Sequence, residues 1–274
     1  LVIGLLTPIV RYFYCTTSFE KKRMAKQLFS HDIYKKVGMN MNVFSLLLSL
    51  VLVAATPVQR IHDDIVWHVP VNEKMVAITF DDGPDMLYTP DILAILKQYD
   101  AKATFFVVGF RAEKYPDIIK RQIEEGHEIA NHTYEHRDFR GQSKETIVEE
   151  IQKTEEVLYN ITGKRPTLFR PPLGYYNQRI LNIAKEQGYT VVMWSKHQDT
   201  YDWQNPGTNR IVRRVIRHIQ PGQIILFHDH GSGSRKQTVQ ALKEILPILK
   251  QKGYTFVTVS ELLKHHPNYR DLNL

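Results

Sequence analysis

From residue 74 to residue 257, short apolar runs alternate with amphipathic stretches, and that alternation narrows the folds open to the chain. The apolar runs predict strands at residues 75–80, 103–108, 128–130, 167–169, 190–194, 223–227 and 255–257. Between them a 3.6-residue spacing predicts helices at 89–98, 115–125, 143–160, 178–187, 208–219 and 236–250. Ser143-Lys144-Glu145-Thr146 has the residues of a helix start, and Pro247 is expected to kink or shorten the last helix. Gly126, Gly188 and Gly253 each stand between a helix and a strand, where a left-handed C-cap wants glycine. About seven β-then-α units result, which favours parallel strands with right-handed crossovers. The polar candidates Asp81, His132, Arg170, Asp199 and His228 fall just past the C-terminal ends of different strands. A closed or nearly closed (β/α) barrel brings those ends to one mouth, whereas an open sheet would spread them.

Charge removes one class of partner. The net charge is +7, but residues 1–60 hold eight Lys/Arg against two Asp/Glu, and the remainder holds 28 against 27. The basic excess belongs to the N-terminus, so nucleic-acid binding by the folded domain has no support. Cys15 is the one cysteine, which excludes an intramolecular disulfide and a cysteine-based zinc site.

The uncharged run at residues 43–55 follows Lys35 and Lys36 and ends in Ala54-Ala55. This is the shape of a secretory signal, short for a spanning helix and open to service as an uncleaved anchor. Either way, residue 60 onward is expected outside the plasma membrane. The expected organisation is an extension at 1–40, a signal peptide or anchor at 41–56, a linker and lead-in strand at 57–72, a catalytic domain at 73–265 and a tail at 266–274. The chain opens on Leu1, and Met24, Met39 and Met41 are candidate starts that would make the earlier residues an artefact.

Two adjacent carboxylates, Asp81 and Asp82, sit where a strand meets Gly83-Pro84. At such a turn both can reach one pocket, one to bind a metal and the other to move a proton. His132 and His136 are four apart, a spacing that puts both imidazoles on one face of a helical turn. With Asp82 they make a two-histidine, one-carboxylate set that leaves a position open on an ion. Such an ion would lower the pKa of water and polarise a carbonyl, with Asp81 placed to take the proton. Arg170, stiffened by Pro171-Pro172, is expected either in a structural ion pair or in a bidentate hold on Asp81. His228 would be an acid for a leaving nitrogen. Asp199 and Asp202 both qualify as the carboxylate that keeps it charged, and Trp203 could wall a small apolar pocket. His197, His230 and Asp229 are read as bystanders, and His265-His266 as solvated.

Together these strings resemble the polysaccharide deacetylases of carbohydrate esterase family 4, the NodB homology domain. Residues 79–84 match T-F-D-D-G-P, 132–136 match H-S/T-x-x-H, and 170–174 match R-P-P-x-G. Residues 199–203 match D-x-x-D-W and 226–228 match L-x-H, all in the family's order across roughly residues 60–265. The resemblance implies a distorted (β/α)7 barrel of TIM-like kind and metal-dependent N-deacetylation of an acetylated amino sugar. It implies Asp81 as base, with Asp82, His132 and His136 as ligands of zinc or cobalt. Arg170 would partner the base, and His228 would be the acid tuned by Asp202. Trp203 and Leu226 would surround the acetyl methyl, and the Leu173 backbone N–H would stabilise the oxyanion. Leu173 departs from the family, which often has tyrosine there; Tyr175 or Tyr176 could replace the lost ring. The segment between Trp194 and Asp199 also looks longer than in many members.

The expected function is removal of acetyl from N-acetylglucosamine in peptidoglycan, with chitin oligomers accepted too. The expected partner is that polysaccharide, with no nucleic acid, membrane contact only through the N-terminal segment, and a monomeric state. The rival readings are a small-molecule amidohydrolase and a non-catalytic wall-binding module.

Overall fold

All seven predicted strand runs are strands in the computed structural model, which describes residues 65–266. They are β2 (Met75–Asp81), β3 (Ala103–Val107), β4 (Glu128–Asn131), β5 (Leu168–Phe169), β6 (Thr190–Val192), β7 (Ile224–His228) and β8 (Thr255–Phe256). A short lead-in strand, β1 (Ile65–Val66), joins them. The sheet runs β1-β6-β5-β4-β3-β2-β7, with β8 also paired to β2, and every ladder is parallel. The expected extension, the signal or anchor, half of the linker and most of the tail lie outside the described residues. No helix among the described residues is long and apolar enough to cross a membrane.

The sheet curls into a half-barrel whose end strands are joined by loop contacts in place of a ladder. Val69 N donates to Gly222 O at 3.0 Å, and His68 makes an antiparallel bridge to Gln223. After β6, Ser195 N donates to Ile224 O and Gln198 O accepts from Leu226 N, each at 3.0 Å. This distorted barrel matches the expectation.

Among the described residues, eight helices cover the sheet: α1 (Tyr88–Gln98), α2 (Gly109–Lys114), α3 (Pro116–Glu124), α4 (Lys144–Thr162), α5 (Gln178–Glu186), α6 (Thr208–His218), α7 (Lys236–Gln251) and α8 (Val259–Lys264). The short α2 and α8 escape the periodicity because six residues are too few to show it. Ser143 caps α4 by accepting from Thr146 N, as its sequence suggests. Gly126, Gly188 and Gly253 take φ of 80°, 82° and 82°, which suits glycine. Pro247 does not shorten α7, which continues to Gln251. Burial of Ile245, Leu246 and Leu249 against the main core holds its last turns.

Strand alternation sorts side chains into two sets. Val76, Ile78, Phe80, Phe105, Ile225 and Phe227 face the helices, with α1 and α7 packed on them. Ala77, Phe106, Ala130, Leu168, Val192 and Ile224 face the concave side, where Val259, Leu262 and Leu263 of α8 pack. Thr79 and Asp81 share the concave parity on β2, as do Leu226 and His228 on β7. The register pairs Thr79 with Leu226 and Asp81 with His228. The polar site therefore grows directly from an apolar barrel floor.

Candidate active site

Asp81 ends β2 on the concave face, and by alternation Asp82 should point away from it. A left-handed backbone at Asp82 (φ 77°) turns its carboxylate back to the same mouth. Aspartate tolerates that region better than most residues, at about 1–2 kcal/mol. Close packing fixes the turn, because a Cβ on Gly83 would lie 2.2 Å from Asp229 Oδ2.

His132 and His136 follow β4, but on a loop and not on a helical turn. Thr133 (φ 69°) and His136 (φ 57°) are left-handed, and the Glu150 carboxylate of α4 accepts from Tyr134 N at 3.0 Å and Glu135 N at 2.8 Å. The result still brings the rings together, 5.0 Å between centroids. Asp82 Oδ1 lies 3.5 Å from His132 Nε2 and 3.2 Å from His136 Nε2, and one ligand atom from each of the three falls within 4.8 Å of the others.

The donor chemistry fits a divalent cation. His132 Nδ1 is 2.7 Å from Arg170 O, and a carbonyl can only accept, so Nδ1 carries a proton. In the neutral ring, Nε2 then presents a lone pair towards the carboxylates of Asp82 and Asp81, the latter 3.8 Å away. Burial opposes charge on Asp82, yet the two imidazoles close to it hold its pKa well below the usual carboxylate range. Burial likewise opposes charge on His136, but the hydrogen bond and charge of Asp82 raise its pKa. The three groups call for positive charge between them, which a divalent ion supplies.

Arg170 is fully buried beneath them. Burial pulls its pKa down, and Asp81 opposes that. The expected bidentate hold on Asp81 is absent: Nη1 alone reaches Asp81 Oδ1, at 2.6 Å. The other donors are committed elsewhere. Nη1 also meets Thr79 Oγ1, Nε donates to Val192 O and Nη2 to Met193 O, each at 3.0 Å. The guanidinium lies 3.9 Å from the Phe106 ring centroid, so the barrel floor itself aims it.

His228 lies across the mouth. Its Nδ1 is 2.7 Å from Asp202 Oδ1, and its backbone N donates to Asp202 Oδ2 at 2.9 Å. Thr238 Oγ1 donates to the same Oδ2 at 2.8 Å. Burial disfavours the imidazolium, but Asp202, with Asp82 and Asp81 behind it, outweighs burial and pushes the ring up to about 9. Of the two carboxylates left open by the sequence, Asp202 therefore makes the contact. Asp199 accepts from Tyr201 N at 2.9 Å, and burial raises its pKa.

A cleft of about 490 Å³ connects these groups, lined also by Leu173, Trp203 and Leu226. Leu173 (φ 58°) and Trp203 are among the most exposed large apolar residues described, at 59% and 51%, while Leu226 is buried. Tyr175 stands outside that lining. After the turn at Pro172–Gly174 the chain is extended, and the Tyr175 ring packs on an apolar cluster that includes Phe169, Ile180 and Val191, with Arg140 5.4 Å over it.

Sequence reasoning missed other wall residues, namely Arg140, Trp194, Gly231, Ser232 and Arg235. His230, set aside as a bystander, also lines the cleft and binds Asp85 Oδ2 at 2.7 Å. Arg235 is buried, and its Nη1 has no hydrogen-bond partner among the described residues. The available signal was the Gly-Ser-Gly run after β7, since loops past strand ends build a barrel's mouth. Asp229 lies beneath the site, where burial pushes it up to about 7 and Thr89 Oγ1 donates to it at 2.6 Å. His197 stacks on His218 at 5.0 Å. His265 is half-buried and faces Glu261 at 3.7 Å, so it is not fully solvated.

The profile of the family "Polysaccharide deacetylase" matches residues 68–192. The chain is 50% identical over 201 residues to a peptidoglycan-N-acetylglucosamine deacetylase of Bacillus cereus, covering 73% of this chain and 93% of that one. It is 35% identical over 200 residues to a chitooligosaccharide deacetylase of a Bradyrhizobium species, covering 69% and 90%. The crystal structure of the Bc1960 peptidoglycan N-acetylglucosamine deacetylase superposes with a TM-score of 0.70 at 42% identity, covering 73% and 92%. The chain belongs to the polysaccharide deacetylases of carbohydrate esterase family 4, hydrolases of amide bonds on polysaccharides.

Proposed function

We propose that this protein hydrolyses the acetamide of N-acetylglucosamine in peptidoglycan, releasing acetate and leaving a free amine on the sugar. The observation that carries the reading is the convergence of Asp82, His132 and His136, with Asp81 on one side and His228 on the other. Asp82 Oδ1 and the two Nε2 atoms would hold zinc or cobalt. When bound, that ion supplies Lewis acidity for the carbonyl and for the attacking water.

Asp81 is the general base. Its Oδ1 is fixed by Arg170, which leaves Oδ2 to accept the water's proton. The water oxygen adds to the acetyl carbon, and the backbone N–H of Leu173 donates to the developing oxyanion. His228 holds Asp202 through Nδ1, so Nε2 delivers the proton to the sugar nitrogen as the C–N bond breaks. Trp203 and Leu226 wall the acetyl methyl and exclude larger acyl groups.

The Bacillus cereus relative supports peptidoglycan as substrate, and the Bradyrhizobium relative supports acceptance of chitin oligomers. A wall substrate agrees with export of residues 73–265 as a monomeric domain, led by a signal or anchor at 41–56. Acetate release from purified peptidoglycan and from chitin oligomers tests the reading, with chelator and then with zinc or cobalt restored. Chelation is expected to stop release on both and metal to restore it. Turnover indifferent to the chelator would refute the metal role, and no acetate from either polymer would favour a wall-binding module.

A further inference from the structure

The near balance of charge beyond residue 60 hides a segregated patch. Between Asp202 and Asp229 the chain contains no acidic residue, and α6 lies in that gap. Its arginines are Arg210, Arg213, Arg214 and Arg217, spaced i, i+3, i+4 and i+7. That spacing puts them on one helix face. Ile211 and Val215 are buried on the opposite face, and all four arginines are exposed. None makes a close ion pair with a carboxylate among the described residues, although the charge of Arg214 acts on Asp199. Lys196 and His197, also exposed, extend the basic character of the neighbouring loop.

This arrangement works against the helix. Arg210 repels Arg214, and Arg213 repels Arg217, as like charges at i, i+4 do. Arg210 also sits in the first turn, the positive end of the helix dipole. Folding alone would favour mixed charges here, as on the other surface helices.

One member of the stripe, Arg214, ties it to the rim of the cleft. Arg214 stacks over Tyr201 at 4.4 Å, and Tyr201 lies 6.4 Å from Trp203, a cleft residue. At ~1.5 Å per residue the arginines extend roughly 10 Å along the helix. Arginine forks suit carboxylates. We propose that the α6 face is a docking strip for the stem-peptide carboxylates of the same glycan strand whose acetamide enters the cleft. The inference rests on the peptidoglycan reading above and adds a second binding surface to it. Neutral chitin oligomers would use the cleft alone.

The test compares wild type with Arg210→Gln/Arg213→Gln/Arg217→Gln, which leaves the cleft and Arg214 intact. Three ligands are used: peptidoglycan freed of phosphate polymers, the same material with its stem peptides removed by an amidase, and chitin oligomers. Co-sedimentation and the KM for acetate release are read at low and moderate salt. For intact peptidoglycan the variant is expected to bind about tenfold more weakly, with KM raised, kcat kept and a shallower salt dependence. On amidase-treated glycan and on chitin oligomers the two proteins should be indistinguishable. The variant's thermal midpoint should equal or exceed that of wild type, since repulsion has been removed. Equal binding of intact peptidoglycan by both proteins would overturn the proposal. A loss that survives amidase treatment, or that emerges only when phosphate polymers are present, would overturn it too. All of these failures leave turnover of chitin oligomers intact, whereas failure of the deacetylase reading would abolish it.

Discussion

Asp202→Asn is the sharpest test of the acid assignment, because one change removes the charge and nearly preserves the shape. In the folded protein His228 rises from 6.5 to about 9, and Asp202 is the largest influence raising it. The burial that opposes it remains in the variant, so the ring should return to its ordinary value or lower. At about pH 7.5 the protonated fraction would fall from nearly complete to about one tenth, a roughly tenfold loss of kcat from titration alone. The alkaline limb of the kcat profile should move towards acid by about 2.5 pH units. A cation at Asp82 offsets the contributions of Asp82 and Asp81 in both proteins, so the difference between the two profiles is the quantity to compare. Stability should follow with a defined sign. A folded value above the ordinary one stabilises fully below about 6.5, and the gain disappears as pH rises through about 9. At ~1.4 kcal/mol per unit, Asp202 and its neighbours contribute up to about 3 kcal/mol below that window. Urea titrations at the two ends of the window should therefore show the variant's deficit shrinking at high pH. An alkaline limb that stays in place would refute the coupling. A uniform activity loss at every pH would reduce Asp202 to a structural tie between His228 N and Thr238.

Asp81→Asn should lower kcat by about 10²- to 10⁴-fold while keeping bound metal by elemental analysis; loss of metal instead would reverse the roles of Asp81 and Asp82. Gly83→Ala places a Cβ 2.2 Å from Asp229 Oδ2 and should destabilise by about 1–3 kcal/mol in urea, with weaker metal binding as the turn shifts. Full stability in that variant would show that the Asp229 carboxylate has room to swing away. Arg170→Met strips Asp81, only 4% exposed, of its arginine, and should cost about 3–5 kcal/mol by denaturant titration. A stable, inactive Arg170→Met would instead assign the arginine to orientation of the base alone.

The alternation of strands and helices was legible because the apolar period depends on local residues. The participants at the mouth were legible for the same reason, since each lies just past a strand. Their backbone was not. His132 and His136 satisfy an i, i+4 spacing that suggests a helix. The loop they occupy is instead held by Glu150, which lies on α4 and takes the amides of Tyr134 and Glu135. No local pattern encodes that partner. The choice between Asp199 and Asp202 was undecidable in sequence because both sit near the mouth. Thr238 and the His228 amide, which meet only Asp202, separate them in space. Arg170 was found, but its geometry was not, because Val192 O and Met193 O claim the donors that a bidentate grip would need. Arg235 drew no notice in the sequence, and only the folding of the Gly231–Gly233 segment over it reveals its burial.

The non-glycine residues with positive φ explain why so much of the site escapes pattern reading. Asp82, Thr133, His136, Leu173 and Tyr201 all lie in the loops at the mouth. A strand can aim only every second side chain at the concave face, yet Asp81 and Asp82 must both arrive there. An inverted φ at the second residue is the shortest way to reverse its direction. At about 1–2 kcal/mol each, five such residues together approach the whole stability of an ordinary domain. The site can hold them only because its supports are rigid. Asp229 fixes the Asp82 turn, Glu150 the histidine loop, and Pro171 with Pro172 the approach to Leu173. The strain therefore marks the mouth as the part of the molecule whose geometry folding alone does not explain. It falls on the loops that carry the three proposed cation ligands, the Leu173 amide and the Asp202 turn, where a chemical demand can explain it.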